Sequence, residues 1–372
     1  MIETIDGLLK EKGNSVYSWT RSNAELGTGL AGKMRAFLGG MYSPAAGRAM
    51  ARLLERETPD IVHAHNLYPL FTPAVLAACR QKNIPVVLHC HSYLLTCPTT
   101  FHFRGGQLCD RCLGGREYWC LLHNCRRSVF ESAGYALRNA LARKLELFTE
   151  NVTLFIALSE FARHWLIDAG FRSEQVVVLP NMIPVPDATA DPADGEYAAF
   201  SGRLSPEKGV SALLAAAAQL PHIPVKLAGN GPQSAHLSEQ ATLNVTFSGW
   251  RDRTEMAGFY RKARFAVVPS VWHEPFGMVA IEAMSHGLPV IASRRGGLPE
   301  IVDDGVTGLL FEPGNVGDLA DKMALLWENK KLSRQMGLAA REKVCREYST
   351  EVYYRRLLAI YRKAIAICDQ RD

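Results

Sequence analysis

The sequence has no run of 18 apolar residues, which excludes a helix that crosses a bilayer. It has no positively charged leader followed by an apolar stretch. Its opening residues, MIETIDGLLKEKG, read as an amphipathic helix with acids early and lysines late, not as a signal peptide. It has no internal repeat and no low-complexity tract, which excludes stacked-repeat and fibrous classes. It has little excess charge. A formal +5 and a pI near 8.7 suit anionic small molecules or an anionic membrane surface and are too weak for a nucleic-acid partner. No GxGxxG follows a strand, so a dehydrogenase is not expected. The protein is expected in the cytoplasm, where its nine cysteines stay mostly reduced.

What is present is a chain of 372 residues, 48% hydrophobic and 21% charged, enough for two domains with substantial cores. DIVHAH (60–65), IPVVLHCHS (84–92), TLFIALS (153–159) and QVVVLPN (175–181) read as strands separated by helical stretches. That alternation predicts a parallel sheet covered on both faces. NMIPVPDATADPADGEY (181–197) reads as a linker. The alternation then restarts with YAAFSGRL, PVKLAGNG, VTFSGW, ARFAVVPS, LPVIAS and VTGLLFEPG. The expected architecture is α/β: two doubly wound, Rossmann-like domains, 1–186 and 187–349, facing a crevice. A long amphipathic helix at 350–372 is expected to pack back on the first domain. Open parallel sheets bind ligands at the carboxyl ends of their strands, so the crevice is the expected site.

One stretch carries most of the chemistry. HEPFGMVAIE (273–282) places Glu274 in a loop and Glu282 in the helix that follows, with Pro275 expected to open that helix and Gly287 to close it. The free amides of Gly277, Met278 and Val279 point out of its N-terminus, a ready site for phosphate. Gly277 lets a ligand approach the backbone. Both carboxylates can accept from hydroxyls on either side of a diphosphate. Taken alone, the pair also fits a capped helix with two solvated glutamates. SGRLSPEKG (201–209) presents Arg203 and Lys208 after another strand, where two cations would neutralise a diphosphate. GNGP (229–232), SGW (248–250) and RRGGLPEIV (294–302) add glycine turns after further strands.

The segments SGRLSPEKG, AGNGP, FSGW, FAVVPS, HEPFGMVAIEAMSHGLPVIAS, GGLPEIV and DGVTGLLFEPGN span nearly all of the second domain. With DIVHAHN, PVVLHCHSYLLTCP, ALSEFAR and VLPN in the first, they identify a resemblance to the family-4 retaining glycosyltransferases of GT-B fold. The resemblance implies that Arg203 and Lys208 bind the donor diphosphate, with Gly231 beside it. It implies that Glu282 binds the nucleotide ribose and Glu274 the transferred sugar's hydroxyls. The backbone from Phe276 through Gly277 and Met278 to Val279 would lie near phosphate and sugar, and Trp250 and Arg251 would flank the base. His91 matches the family's histidine near the reacting carbon, although a histidine after an apolar strand reads by itself as structural. Catalysis would then rest on Glu274, His91, Arg203 and Lys208. Retention in the family is described as front-face attack, in which the leaving phosphate takes the acceptor's proton, so no carboxylate nucleophile is nominated. No catalytic cofactor or metal is implied. The donor would be a UDP- or GDP-linked sugar. The acceptor would be a glycan or lipid-linked hydroxyl in cell-surface polysaccharide or glycolipid synthesis.

The family begins with a strand and a glycine-rich loop, whereas this chain starts at the following helix, with NSVYSWTRSN (14–23) as a second strand. The first domain is therefore expected to lack its N-terminal strand, which puts the activity of the chain as written in question. Other classes are a non-catalytic sugar-nucleotide-binding remnant and another GT-B enzyme such as a sugar-nucleotide epimerase. GTGLAGKM (27–34) nearly matches a phosphate-binding P-loop but has Met34 where a magnesium ligand belongs. Within a cysteine-rich insertion at 97–125, Cys109, Cys112, Cys120 and Cys125 have the spacing of a structural zinc site, with Cys97, His102 and His123 nearby. Free thiols fit equally and disulfides less well. The helical stretch 125–148 carries Arg126, Arg127, Arg138, Arg143 and Lys144 and reads either as a peripheral membrane contact on the inner face or as a basic surface helix.

Overall fold

A computed structural model of the chain describes residues 1–22, 25 and 40–370. The P-loop-like GTGLAGKM lies outside them. The chain divides into two compact units: Met1–Arg104 with Cys109–Leu179 and Tyr354–Asp372, and Pro180–Tyr353 with Gly105–Leu108.

The first unit holds a parallel sheet of β1 (Val62–His65), β2 (Val86–His89), β3 (Leu154–Ala157) and β4 (Val176–Val178), in that spatial order. Every residue of β2 and β3 is buried, as a sheet covered on both faces requires. The helices that cover it start where their sequences say. Ser43 caps Pro44–Glu57 by accepting from the Ala46 amide, with Pro44 in the first turn, and Ser159 caps Glu160–Asp168 through Ala162. Met50, Leu54, Leu76, Leu88, Phe155 and Leu166 meet in one core. The C-terminal helix Thr350–Asp369 reaches this unit through Tyr361, whose hydroxyl lies 2.7 Å from His63 Nδ1, and Cys368, 3.0 Å from Asn83 Oδ1.

One expectation fails in this unit. NSVYSWTRSN forms no strand in its described residues, 14–22. Most of its side chains are exposed, and a member of this sheet would have to bury both faces. Asn14 instead binds the Leu9 carbonyl and the Tyr354 hydroxyl, and Ser18 binds Asp6. The helix Val129–Lys144 does not present all its cations to solvent. Arg138 is buried, stacked over Tyr68 and Tyr135 and bonded to Asn139, while Arg143 pairs with Glu117 at 2.8 Å. Of Arg126, Arg127, Arg138, Arg143 and Lys144, Arg138 alone is buried and the other four are exposed. No described helix is long and apolar enough to cross a membrane.

The second unit holds six parallel strands: β5 (Tyr197–Ser201), β6 (Val225–Ala228), β7 (Val245–Phe247), β8 (Ala263–Val268), β9 (Val290–Ser293) and β10 (Gly308–Phe311). Their spatial order is β10-β9-β8-β5-β6-β7. The chain starts in the middle, winds outward to β7, then returns to lay β8 on the other side of β5. The loops leaving β5 and β8 are therefore neighbours at the carboxyl ends of the strands, the switch point at which open parallel sheets bind ligands. Phe200, Leu213, Phe265, Phe311 and Met323 form the core on one face of this sheet. Phe265→Ala should cost about 3–5 kcal/mol, whereas Leu325→Ala, exposed on the helix Val316–Glu328, should stay within about 0.5. Urea unfolding of the two variants checks this, and equal midpoints would contradict the assignment of Phe265 to the core.

Candidate active site

The loop after β5 is pressed against the loop after β8. Gly209, at φ 69°, caps the helix Val210–Gln219, and a Cβ there would sit 1.9 Å from the Pro269 carbonyl oxygen. Only glycine allows both the left-handed backbone and the approach. The Val271 amide completes the contact by donating to the Glu207 carbonyl. Gly231, after β6, makes a similar approach: its Cβ would lie 2.2 Å from the Leu204 carbonyl oxygen, and its amide donates to Ser234.

These contacts bring Lys208 to Glu274. The ammonium donates to Glu274 Oε1 at 2.6 Å, and the Ser270 hydroxyl donates to the same oxygen at 2.7 Å. Ser293 in turn donates to the Ser270 carbonyl at 2.5 Å. Glu274 is only 7% exposed, so its charge is held by these donors and not by water. Both bonds fall on Oε1, and Oε2 takes no part in them. The Lys208 ammonium lies 5.5 Å from the Trp272 ring and keeps two further protons to donate. Arg203 lies exposed on the same loop.

The helix after β8 spans Met278–Ser285 and is capped by Gly277, with no side-chain bond at the cap. It opens three residues later than expected. Pro275 lies ahead of it, because Gly277 at φ 135° turns the chain first. Its terminal amides lie outside its own hydrogen-bond ladder and carry the positive end of its dipole. Glu282, half-buried one turn on, accepts from the Tyr260 hydroxyl at 3.2 Å, and Tyr260 lies 2.6 Å from the Ser201 hydroxyl at the end of β5. Burial raises the Glu282 carboxyl above its usual range, against the opposing pull of Tyr260 and Arg253. Trp250 and Met278 are exposed, and Arg251 stacks 5.8 Å from Phe259. Phe276 does not offer its ring to a ligand. It is buried edge-on against Tyr348, so only its backbone is available.

Lys208, Glu274, Gly277, Met278 and Glu282 thus gather around the β5–β8 switch point. Ser270, Tyr260, Ser201 and Ser293 were missed by the sequence reading. The serines end strands already recognised, which was a usable signal. Tyr260 sits in the helix Arg253–Arg261 and reads as an ordinary core aromatic.

In the first unit His91 follows β2 and is not alone. It stacks on His89 with ring centroids 4.3 Å apart, and its Nε2 lies 2.8 Å from His65 Nδ1. His63 and His89 continue the stack, their nitrogens 3.3 Å apart. Burial first, then the charges of His91 and the chain's amino terminus, pushes His65 down to about 3. Burial likewise pushes His91 to about 4 and drives His63 and His89 far below the ordinary histidine range. Four stacked rings are tolerable only because all are neutral at pH 7. Cys109, Cys112, Cys120 and Cys125 also come together in this unit, around a small cavity that Cys97 joins.

Two family models divide the chain between them. Residues 17–185 match "Glycosyltransferase Family 4" and residues 186–343 match "Glycosyl transferases group 1". The chain belongs to the family-4 glycosyltransferases. It is 40% identical over 144 residues to the D-inositol 3-phosphate glycosyltransferase of Mycolicibacterium smegmatis, covering 36% of this chain and 33% of that one. It is 36% identical over 301 residues to the sulfoquinovosyl transferase of Arabidopsis thaliana, covering 78% and 54%. The chain therefore spans between a third and just over half of the length of these relatives. Its fold is that of the Anabaena HepE structure in complex with UDP-glucose, at TM-score 0.65 and 21% identity, covering 97% of this chain and 89% of that one. Its four- and six-stranded sheets are both parallel.

The neutral histidine stack has a measurable consequence. In the unfolded chain these imidazoles take protons near pH 6.5, whereas folded His91 and His65 wait until about 4 and 3. The unfolded state binds more protons between those values, so stability is full above pH 6.5 and falls as pH drops through the window. The urea midpoint should fall from pH 7 to pH 5, and less steeply in a His65→Asn/His91→Asn double variant. Parallel pH profiles for the two proteins would contradict the reading.

Proposed function

We propose that this chain is a retaining, metal-independent glycosyltransferase that moves a sugar from a UDP- or GDP-linked donor to a hydroxyl acceptor with an α-linkage. The observation that carries the proposal is the meeting of the Lys208–Glu274–Ser270 network with the N-terminus of helix Met278–Ser285 at the β5–β8 switch point. A nucleotide-diphosphate sugar already holds a good leaving group. The protein must neutralise the diphosphate as the glycosidic bond breaks and hold the electron-poor sugar in place.

Each residue has a part in this. Lys208, with protons to spare beyond Glu274, and Arg203 supply the positive charge that a divalent ion would otherwise bring. The amides of Gly277, Met278 and Val279 and the helix dipole add to it. Oε2 of Glu274 accepts from a hydroxyl of the transferred sugar, while Oε1 stays fixed by Lys208 and Ser270. Glu282, steadied by Tyr260, accepts from the ribose. Trp250 and Arg251 flank the base, with Gly231 close by. The leaving phosphate takes the acceptor's proton. Residues 187–349 bind the donor in this reading, and residues 1–186 serve the acceptor, a glycan or lipid-linked hydroxyl of a surface polysaccharide or glycolipid. The names of the two relatives, both sugar transferases, and the UDP-glucose held by HepE support the donor class. A cytoplasmic setting suits a chain whose cysteines are all free thiols.

Calorimetric titration with UDP, GDP and their sugars tests this. One base should bind. Lys208→Ala should weaken it about 10- to 100-fold, the worth of one charge-assisted hydrogen bond, and Glu282→Ala should also weaken it. Glu274→Gln should retain nucleotide affinity and lose most turnover of the donor sugar. Binding of no nucleotide, or unchanged affinity in Lys208→Ala, would sink the proposal.

A further inference from the structure

The insertion between β2 and β3 holds its shape with little core. Between Thr99 and Ser128 only His102, Glu117 and Cys120 are buried, and the one regular helix there, Tyr118–Leu122, is a single turn. Tyr118 and Leu122 are more than half exposed. Non-glycine residues with positive φ recur at Thr100, His102, Asn124 and Arg127. Each such residue costs free energy and persists only where its surroundings over-determine it. A segment that buries so little apolar surface needs a covalent or metal staple. All its cysteines are free thiols.

Those thiols converge. Cys97, Cys109, Cys112, Cys120 and Cys125 line one cavity of about 20 Å³, room for a single water-sized occupant. Cys120 and Cys125 are within hydrogen-bonding distance of each other through their thiols, and the Cys125 amide donates to the Cys120 carbonyl. The nearby histidines are already engaged. The Trp165 indole can only donate, and it donates to His102 Nε2 at 3.2 Å, so the His102 proton sits on Nδ1 and goes to the Cys109 carbonyl at 2.9 Å. The Cys109 amide returns a bond to the His102 carbonyl at 2.8 Å. His102 therefore clamps the backbone of the first cysteine and has no lone pair to give. His123 Nε2 accepts from the Arg111 guanidinium at 3.1 Å and is occupied in the same way. Sulfur alone remains.

We propose that Cys109, Cys112, Cys120 and Cys125 bind one structural zinc ion as thiolates, with His102 as a positioning residue that holds Cys109. Two pairs, one separated by two residues and one by four, are spacings that four-coordinate zinc accepts, at Zn–S distances of about 2.3 Å. Binding releases the thiol protons, and the metal replaces the hydrophobic core that the insertion lacks. The ion takes no part in sugar transfer. Its place is structural: it anchors the segment that leaves the carboxyl end of β2 just after His91. This assignment is independent of the proposed donor chemistry.

The test is elemental analysis of the full chain purified under reducing conditions from zinc-supplemented medium. About one zinc per chain is expected, with at least a fivefold loss in Cys112→Ser and Cys120→Ser and none in Cys345→Ser, which is exposed and far along the sequence. Because the serine variants can fail to fold, the unaltered chain is also loaded with cobalt. Sulfur-to-cobalt charge-transfer absorption together with the visible bands of tetrahedral cobalt would support the site. A zinc-free chain whose thiols all react at once would overturn it, as would disulfides found within the insertion by mass spectrometry. So would zinc that survives both serine changes and is lost in His63→Gln or His89→Gln. The ligand nitrogens of His63, His65 and His89 lie within 4.8 Å of one another, so that rival site is a real alternative.

Discussion

The bond between Lys208 and Glu274 organises the second unit's binding edge. It joins two loops that are distant in sequence, and it exists because the sheet places β8 beside β5. A carboxylate this deeply buried is stable only while it is paired. Removing one partner of such a pair costs about 3–5 kcal/mol because the other charge is stranded. The pairing therefore fixes the positions of a cation and a carboxylate together, where the loops after β5 and β8 meet. Ser270 and Ser293 extend the same constraint to the ends of β8 and β9. The chemistry then needs few other moving parts.

The strand content was legible because buried parallel strands are short apolar runs bounded by glycine, proline and polar turns. Every segment read as a strand of the two sheets forms one, apart from NSVYSWTRSN. That segment alternates well enough to look like a strand, but it is too polar to bury two faces. The loops carrying Arg203, Lys208, Glu274 and Glu282 were legible from residue types and from position after strands. Their meeting was not, because nothing local reports the order of strands in a sheet. Tyr260 bonds to both Ser201 and Glu282 and was invisible for the same reason. Arg138 was misjudged because a helical stripe of cations reads as surface, whereas two aromatic rings and an asparagine can take a guanidinium inside.

The first unit places unusual chemistry on one sheet edge. β1 and β2 end on His65 and His89 in register, and His91 extends the stack before the cysteine-rich insertion begins. Each imidazole is kept neutral by its neighbours' exclusion of water, and each thiol lies where sulfur neighbours gather. Both groupings are polar atoms concentrated where a sheet normally presents plain backbone. Both depend on nearby anchoring contacts: Tyr361 on His63 for the rings, and Trp165 and Thr96 on His102 for the sulfurs.

The close approaches at Gly209 and Gly231 have a consequence for how such a protein diversifies. Backbone touches backbone there, so neither position can accept any side chain without displacing the loop it leans on. The exposed Arg203, Trp250 and Met278 face no such limit. Mutational drift is thus channelled: the frame proposed to face phosphate is frozen by packing, while the rim proposed to meet base and sugar is free to vary. A lineage can acquire a new donor by changing its rim and inherit the frame unaltered.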